Sequence, residues 1–295
     1  MSSSTPDQQD STKFERSPVP QNDGKPVRSV GCCIIGDEVL NGKTKDSNSN
    51  FLAKACFDLG IEVKRIEVIP DDEDDIVATV KRMARDYDLV ITSGGIGPTH
   101  DDITYQSIAK AFDAQLEYHE ETKKRMVALS KRASLVVRAT MQRMTEQTEE
   151  QKKARNRMAL FPTGAEVLYV QQDLWVPVVR VAGKVCILPG VPSLFERLLT
   201  GLMSRYVTLP PSSEKPFRFL VHTSQPESSI APFLTSLQGR VKDEGIRVGS
   251  YPKLFAGVDV SLIGKDEQRL KALSDEVVKE LQGEVVAQGK LGEEK

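Results

Sequence analysis

Short apolar runs alternate with amphipathic helical segments through the first part of the sequence, and this alternation strongly limits the possible folds. Strands are predicted at residues 30–35, 61–69 and 89–92, and each is followed by a segment with apolar residues at helical spacing. Such alternation is typical of a parallel sheet that helices cover on both faces. The sequence therefore predicts the α/β class, with a mostly parallel sheet sandwiched by helices.

The rest of the chain predicts a second, smaller domain. Residues 117–156 are charged and lack Gly and Pro, which indicates helix, and a further strand is predicted at 185–188. Residues 209–213 have the composition of a linker. We therefore expect a main domain at 28–208 and a small α+β domain at 214–288. Residues 1–27 are almost free of apolar side chains and are expected to form a disordered tail.

Charge and composition exclude some classes of protein. The formal net charge is −2, without the basic excess of a general nucleic-acid binder. No apolar run is long enough for a membrane span, and the N-terminal residues lack the apolar core of a signal peptide. The cysteines Cys32, Cys33, Cys56 and Cys186 all lie in apolar runs and form no CxxC pair, so buried reduced thiols are expected. We predict a cytoplasmic protein with no nucleic-acid or membrane partner.

Acidic residues follow each of the first strands. Asp37 follows the first, Asp71 the second, and Asp101 with Asp102 the third. Because the carboxyl ends of parallel strands meet at one edge of a sheet, where ligands bind in open α/β folds, these carboxylates are expected to converge. The alternative is structural, since Asp71 and Asp102 could simply favour the positive ends of the helices that follow.

A glycine-rich loop, Gly94 to Gly97, lies between the third strand and its helix. Glycine lets the backbone turn sharply and present amide groups to an anion, and a helix that starts beyond it adds a positive dipole end. A tight structural turn explains the same residues. The loop is neither a P-loop nor a dinucleotide-binding fingerprint. The basic group of Lys152, Lys153, Arg155 and Arg157 is interpreted as a solvated helix face, and phosphate clamping by Arg155 or Arg157 is the less favoured alternative.

Carboxylates beside a phosphate site repel the phosphates unless a cation lies between them. Each like-charge pair costs about 4 kcal/mol at ~4 Å and an effective dielectric constant of ~20. Mg²⁺ commonly bridges one or two carboxylates and substrate phosphates. The carboxylates therefore indicate a divalent metal, with Asp37, Asp71 and Asp102 as its candidate ligands.

Several motifs together resemble the CinA-like branch of the MoaB/Mog molybdopterin-binding superfamily, and also the N-terminal module of eukaryotic FAD synthases. They are GDEVLNG at 36–42, DSN at 46–48, IPDD at 69–72, TSGGIGPTHDDIT at 92–104, NRMA at 156–159, PTGA at 162–165 and LPGVP at 188–192. The resemblance covers residues 30 to about 207 in order. The stretch 169–177 departs from the family's usual Gly-Thr-Ala-Pro-Gly loop.

This resemblance implies a metal-dependent pyrophosphatase acting on FAD, ADP-ribose or a related adenine dinucleotide, with Mg²⁺, Mn²⁺ or Co²⁺. The family's key acidic positions fall on Asp71 and Asp102, which are the expected catalytic residues. The expected substrate contacts are Gly36, Asp37, Glu38, Ser93, Gly94, Gly95, Gly97, Pro98, Thr99, Asp101, Pro189 and Gly190.

Two alternatives stay open from the sequence. The same fold and acidic pair suit a protein that binds or adenylylates molybdopterin, and the altered 169–177 stretch suits a non-catalytic module that binds a nucleotide or a protein. We expect a small-molecule ligand, either a nucleotide or a pterin, and a homo-oligomer. If the protein is a non-catalytic module, the partner could instead be a protein.

Overall fold

The computed structural model describes residues 14–19, 24–138 and 148–293. It divides into two compact units. The first contains the described residues up to Ala53 together with Val63–Thr208. The second contains Lys54–Glu62 and the described residues from Leu209 onward.

The first unit is built on a six-stranded sheet. Its strands are β1 Ser29–Ile35, β2 Glu62–Ile69, β3 Leu89–Ser93, β6 Glu166–Leu168, β7 Val178–Val181 and β8 Val185–Leu188. Their order across the sheet is β2-β1-β3-β8-β7-β6. Strands β1, β3 and β8 run parallel, whereas β7 and β6 pair antiparallel at one edge. The register places Ile34 beside Ser93 and Ser93 beside Leu188. Three strands therefore end side by side, which confirms the predicted mostly parallel sheet.

The helices of this region are α1 Asp37–Leu40, α2 Asn48–Asp58, α3 Glu73–Asp86, α4 Thr104–Ala111, α5 Glu120–Arg138, α6 Glu149–Arg157 and α7 Pro192–Arg205. Helix α3 shows how the sequence sets one of them. Asp72 accepts hydrogen bonds from the amides of Asp74 and Asp75 and so caps the helix start. Its apolar stripe, Ile76, Val80 and Met83, is buried in the core beneath the sheet.

The predicted helix at 117–156 is wrong at its beginning. Leu116–Tyr118 forms a short strand, β4, which pairs antiparallel with β5, Leu160–Pro162. Helix α5 starts only at Glu120, and residues 139–147 lie outside the described chain. Helix α6 begins at a capping box, in which Thr148 and Gln151 bond each other's backbone amides.

Part of the expected N-terminal tail is held against the first unit. Residues 1–13 and 20–23 lie outside the described chain, but residues 14–19 do not. The amide of Ser17 donates to the Tyr169 carbonyl oxygen, and the Tyr169 amide donates to Ser17 Oγ. The Arg125 guanidinium lies 4.7 Å from the Phe14 ring centroid, a cation–π contact. These contacts correct the expectation of disorder for residues 14–19.

The second unit has a four-stranded antiparallel sheet, with the order β10-β11-β9-β12, and two main helices. Its elements are β9 Phe217–Thr223, α8 Glu227–Val241, β10 Arg247–Lys253, β11 Gly257–Gly264, α9 Glu267–Leu281 and β12 Glu284–Lys290. Its own apolar core includes Val221, Leu237, Val260 and Leu273. This agrees with the predicted small α+β layer, and β12 is an addition to it.

The cysteines are free and buried, as predicted. Burial raises the pKa of the thiols of Cys33, Cys56 and Cys186 to about 12. These thiols are therefore protonated near neutral pH and take no part in the chemistry considered below. None of the described helices has the length and apolar character needed to cross a lipid bilayer.

Candidate functional site

Three backbone turns meet where β1, β3 and β8 end. Gly36 donates its amide hydrogen bond to the Ile69 carbonyl oxygen at 3.1 Å, which ties the end of β1 to the end of β2. Gly94 donates to the Leu188 carbonyl oxygen at 3.2 Å. A Cβ added at Gly190 would lie 3.3 Å from the Gly94 Cα, so the β3 and β8 turns are in close contact. This meeting point is the sheet edge at which the sequence predicted a site.

Glycine is required in the 94–97 loop on steric grounds. Gly94 and Gly95 have φ angles of 113° and 64°, in the left-handed region. An added Cβ at Gly94 would collide with the Ile35 carbonyl oxygen, and one at Gly95 with Thr104 Oγ1. The amides of Gly95 and Ile96 make no hydrogen bond within the described part of the chain. The loop therefore presents amide donors at the sheet edge, as an anion site needs.

Asp71 is half-buried beside this loop. One of its carboxylate oxygens accepts a hydrogen bond from the Asp37 amide at 3.0 Å, and the other would lie 3.4 Å from a Cβ added at Gly95. Burial raises the Asp71 pKa most, and the negative charges of Asp37, Glu38 and Asp101 raise it further against the effect of the Asp37 hydrogen bond. The charges of Asp37 and Asp101 therefore act on Asp71, whereas Asp102, the fourth residue of the predicted group, is directed to the amides of Gly97 and Thr99.

The raised pKa of Asp71 makes the stability of the folded protein depend on pH. Because the folded protein binds this proton more readily, the cost of an ionised Asp71 is present above the raised pKa and fades as pH falls toward the ordinary value of 3.8. We expect Asp71→Asn to be more stable than wild type near neutral pH, with a smaller difference in acid. Denaturant unfolding of both proteins from about pH 3 to about pH 7 measures this. A difference that does not change with pH would contradict it.

Asp102 does not cap helix α4, which begins at Thr104 with Ile103 as its N-cap. One Asp102 oxygen accepts from the Gly97 amide at 2.6 Å, and the other accepts from the Thr99 amide at 2.8 Å and from the Thr99 hydroxyl. Asp102 therefore makes no capping hydrogen bond to helix α4, and its carboxylate closes the loop between Gly97 and Thr99.

Arg157, the last residue of α6, braces the same loop. Its guanidinium donates to the carbonyl oxygens of Thr99 at 3.1 Å and Asp102 at 3.4 Å. The interpretation of this basic group as a solvated face is therefore wrong for Arg157. The sequence carried one usable signal, the NRMA motif at 156–159, but it did not show which loop the arginine would reach.

Replacing Arg157 by Met should loosen the loop without altering the carboxylates. We expect about tenfold weaker ligand binding or turnover and about 1 kcal/mol less stability, because two hydrogen bonds from a charged donor are lost. Lys153→Met, at an exposed position of the same helix, is the matched control. Equal effects of the two substitutions would show that the brace has no functional role.

A buried polar tie joins the β3 and β8 turns to helix α2. Asn48 Nδ2 donates to Ser93 Oγ at 2.9 Å and to the Gly190 carbonyl oxygen at 2.8 Å. Ser93 Oγ in turn donates to the Pro189 carbonyl oxygen at 3.4 Å. The sequence analysis names Asn48 only within the DSN motif at 46–48 and did not predict this tie. The Asp46 carboxylate, in the same motif, accepts from the Ser49 amide.

The predicted contact residues occupy these loops, and the metal ligands stay a prediction. Among the described residues, no group of three or more His, Cys, Asp or Glu is arranged to hold a metal ion. The available donors are hard carboxylate oxygens, which suit Mg²⁺-like ions that keep several waters and use only one or two protein ligands. Asp37 and Asp71 fit this requirement, whereas the Asp102 oxygens already serve the loop amides.

A larger cavity of about 540 Å³ lies at the opposite, amino edge of the sheet. Its walls include Asp88, Arg180 and Lys184. The Arg180 guanidinium is already bonded to the Glu166 carboxylate and the Tyr206 carbonyl oxygen. We place the candidate site at the carboxyl edge, because the glycine loop and the converging carboxylates lie there and a larger volume alone brings no chemistry.

Comparison with known proteins places both parts of the chain. The family model described as "Probable molybdopterin binding domain" matches residues 31–208, and "FAD synthase, middle domain" matches residues 217–290. A "Probable FAD synthase" of Caenorhabditis elegans is 31% identical over 268 residues, covering 88% of this chain and 51% of that protein. The chain thus spans about half the length of this curated relative.

The alignments of this chain with two further proteins cover most of the length of those proteins. A protein of Pyrococcus abyssi (strain GE5 / Orsay) is 30% identical over 246 residues, covering 79% of this chain and 89% of that one. The crystal structure of CinA from Thermoplasma acidophilum, a protein described as having unknown function, is 28% identical with a TM-score of 0.48. That alignment covers 60% of this chain and 97% of CinA. The chain belongs to the family defined by the molybdopterin-binding domain, and the segment that follows this domain is similar to the middle domain of FAD synthases.

Proposed function

We propose that this protein is a divalent-metal-dependent pyrophosphatase that hydrolyses FAD, ADP-ribose or a related adenine dinucleotide. The observation that carries the proposal is the position of Asp71 among the carboxylates of Asp37 and Asp101, beside the amides of the glycine loop. This arrangement combines donors for a pyrophosphate with a concentration of negative charge that would otherwise repel it.

A divalent cation between the carboxylates and the phosphates would remove this repulsion. Asp71 and Asp37 would hold an ion such as Mg²⁺, Mn²⁺ or Co²⁺ through their carboxylate oxygens, and Asp102 would act by holding the loop beside it. When bound, such an ion neutralises phosphate charge and polarises the phosphoryl group. The amides of Gly95 and Ile96 would bind the phosphate oxygens, and Arg157 would keep the loop in place.

The reaction needs little further from the chain. Water attacks one phosphorus, the bond from that phosphorus to the bridging oxygen breaks, and two phosphate monoesters form. The two protons of the water end on the product phosphates or in solvent. Asp71 would act as a ligand of the ion and would help to orient the attacking water, whose proton would pass to solvent. The similarity to FAD synthases supports an adenine dinucleotide as the ligand.

The test is incubation of the pure protein with FAD or ADP-ribose and each of Mg²⁺, Mn²⁺ and Co²⁺, followed by chromatography. Hydrolysis of FAD gives FMN and AMP, and hydrolysis of ADP-ribose gives AMP and ribose phosphate. Asp71→Asn protein, purified in the same way, controls for a contaminating hydrolase. Absence of products with every metal would overturn the proposal.

Molybdopterin binding or adenylylation is a second candidate, which the match to the molybdopterin-binding domain favours. Calorimetry with molybdopterin separates the two candidates: binding of the pterin without hydrolysis of either dinucleotide supports the second. Tight binding of a nucleotide with no turnover in any metal would instead indicate a non-catalytic binding module.

A further inference from the structure

The side-chain oxygen of Asn48 is a buried acceptor with no hydrogen-bond donor in the described part of the chain. The residue is only 6% exposed. Its orientation is fixed, because the Gly190 carbonyl oxygen can only accept and must therefore face Nδ2, at 2.8 Å. Oδ1 is thereby turned away from Gly190. A buried acceptor without a donor destabilises the folded protein. A bound group that donates a hydrogen bond to Asn48 Oδ1 would remove this cost.

Asn48 lines a small cavity at the carboxyl edge of the sheet. The cavity measures about 30 Å³, close to the ~30 Å³ that one water molecule occupies in the liquid. It therefore has room for a group of the size of water, such as a hydroxyl. The other polar residues that line it are Glu38, Thr44, Lys45, Asp46, Ser47 and Ser93. Glu38 and Asp46 can only accept, Lys45 can only donate and the hydroxyl groups can do both, so it is the unpaired Oδ1 of Asn48 that favours a group that donates.

The cavity adjoins the glycine loop. Ser93, which lines it, directly precedes Gly94, and Gly190, which also lines it, contacts the Gly94 backbone. In a nucleotide the ribose is bonded directly to a phosphate group. A phosphate on the loop amides would therefore bring a ribose hydroxyl within reach of the cavity mouth.

We propose that Asn48 Oδ1 accepts a hydrogen bond from a ribose hydroxyl of the bound nucleotide, which makes Asn48 a specificity-determining residue. The inference rests on the proposed function only in taking an adenine nucleotide as the ligand, and it requires no turnover. Asn48 would thus hold the loops together through Nδ2 and recognise the sugar through Oδ1.

Calorimetry of the whole chain with ADP, 2′-deoxy-ADP and 3′-deoxy-ADP, at one fixed Mg²⁺ concentration, tests this. We expect one deoxynucleotide to bind at least about tenfold more weakly than ADP, because a missing hydroxyl leaves the buried acceptor unpaired. In Asn48→Ala that preference should shrink to about twofold or less. A purely structural role predicts instead that Asn48→Ala weakens all three ligands by the same factor and keeps their ratio, which would overturn the proposal.

The wild-type comparison and one control keep the test decisive. The hydroxyl preference is measured on the wild-type protein itself, so it can be tested even if Asn48→Ala fails to fold. Asn50→Ala, at an exposed position of the same helix, should leave the preference unchanged. Equal binding of all three nucleotides by wild type, or binding of none, overturns the inference. Failure to hydrolyse FAD or ADP-ribose is a separate result, since the hydroxyl preference is measured without turnover.

Discussion

Asp71→Asn is expected to lower pyrophosphate hydrolysis by about 10²-fold or more, with no loss of stability. The substitution removes one charge and keeps the shape of the side chain. Its carbonyl oxygen can still accept the Asp37 amide, and the repulsion from Asp37, Glu38 and Asp101 is relieved. Turnover with the preferred metal, melting temperature and nucleotide affinity without metal are the three measurements.

Asp72→Asn is the matched control for this variant, because it removes the same charge one residue away. Asp72 accepts from the amides of Asp74 and Asp75, and asparagine caps helices about as well. We expect near-normal turnover for it. If Asp71→Asn is as active as Asp72→Asn, then Asp71 has only a structural role.

Gly94→Ala is expected to destabilise the first unit by about 2–4 kcal/mol and to abolish ligand binding. Part of the cost is the left-handed backbone, about 1 kcal/mol for a residue with a Cβ. The larger part is the collision with the Ile35 carbonyl oxygen at the end of the neighbouring strand, since neither backbone can retreat without disturbing the sheet. Chemical unfolding and nucleotide calorimetry measure the two effects.

Gly183→Ala separates the two contributions. Gly183 has a φ of 69°, but a Cβ there would meet no atom within 4 Å. Its substitution should therefore cost only the backbone strain, about 1 kcal/mol, and leave binding intact. Equal costs at the two glycines would contradict the argument from close backbone approach.

The fold could be predicted where the hydrophobic pattern repeats over a long continuous stretch of the sequence. Strand–helix alternation is visible through residues 30–112, and parallel strands then place Asp37, Asp71 and Asp101 at one edge without further information. Strands β4, β5 and β6 have only three residues each, too few for any period to show. They depend on long-range pairing, so the sequence did not predict them.

The roles of single side chains were harder to predict than their positions. Asp102 precedes a helix in the sequence, yet its carboxylate turns back to the loop amides of Gly97 and Thr99. Asn48 bonds Ser93 and Gly190, which are 45 and 142 positions away along the chain. Such partners are chosen by tertiary structure, and neither local propensity nor residue type reveals them.

The way Asp102 closes its loop bears on how tightly a ligand can be held. Since the carboxylate binds the Gly97 and Thr99 amides within the protein itself, the loop has its shape before any ligand arrives. The conformational entropy of that segment is lost during folding, so ordering the loop adds no further free-energy cost when a ligand binds. A preorganised loop also discriminates by shape, because a mismatched anion cannot draw the backbone toward itself without breaking those two bonds. If the loop binds a phosphate as proposed, its selectivity for the geometry of that anion is set during folding.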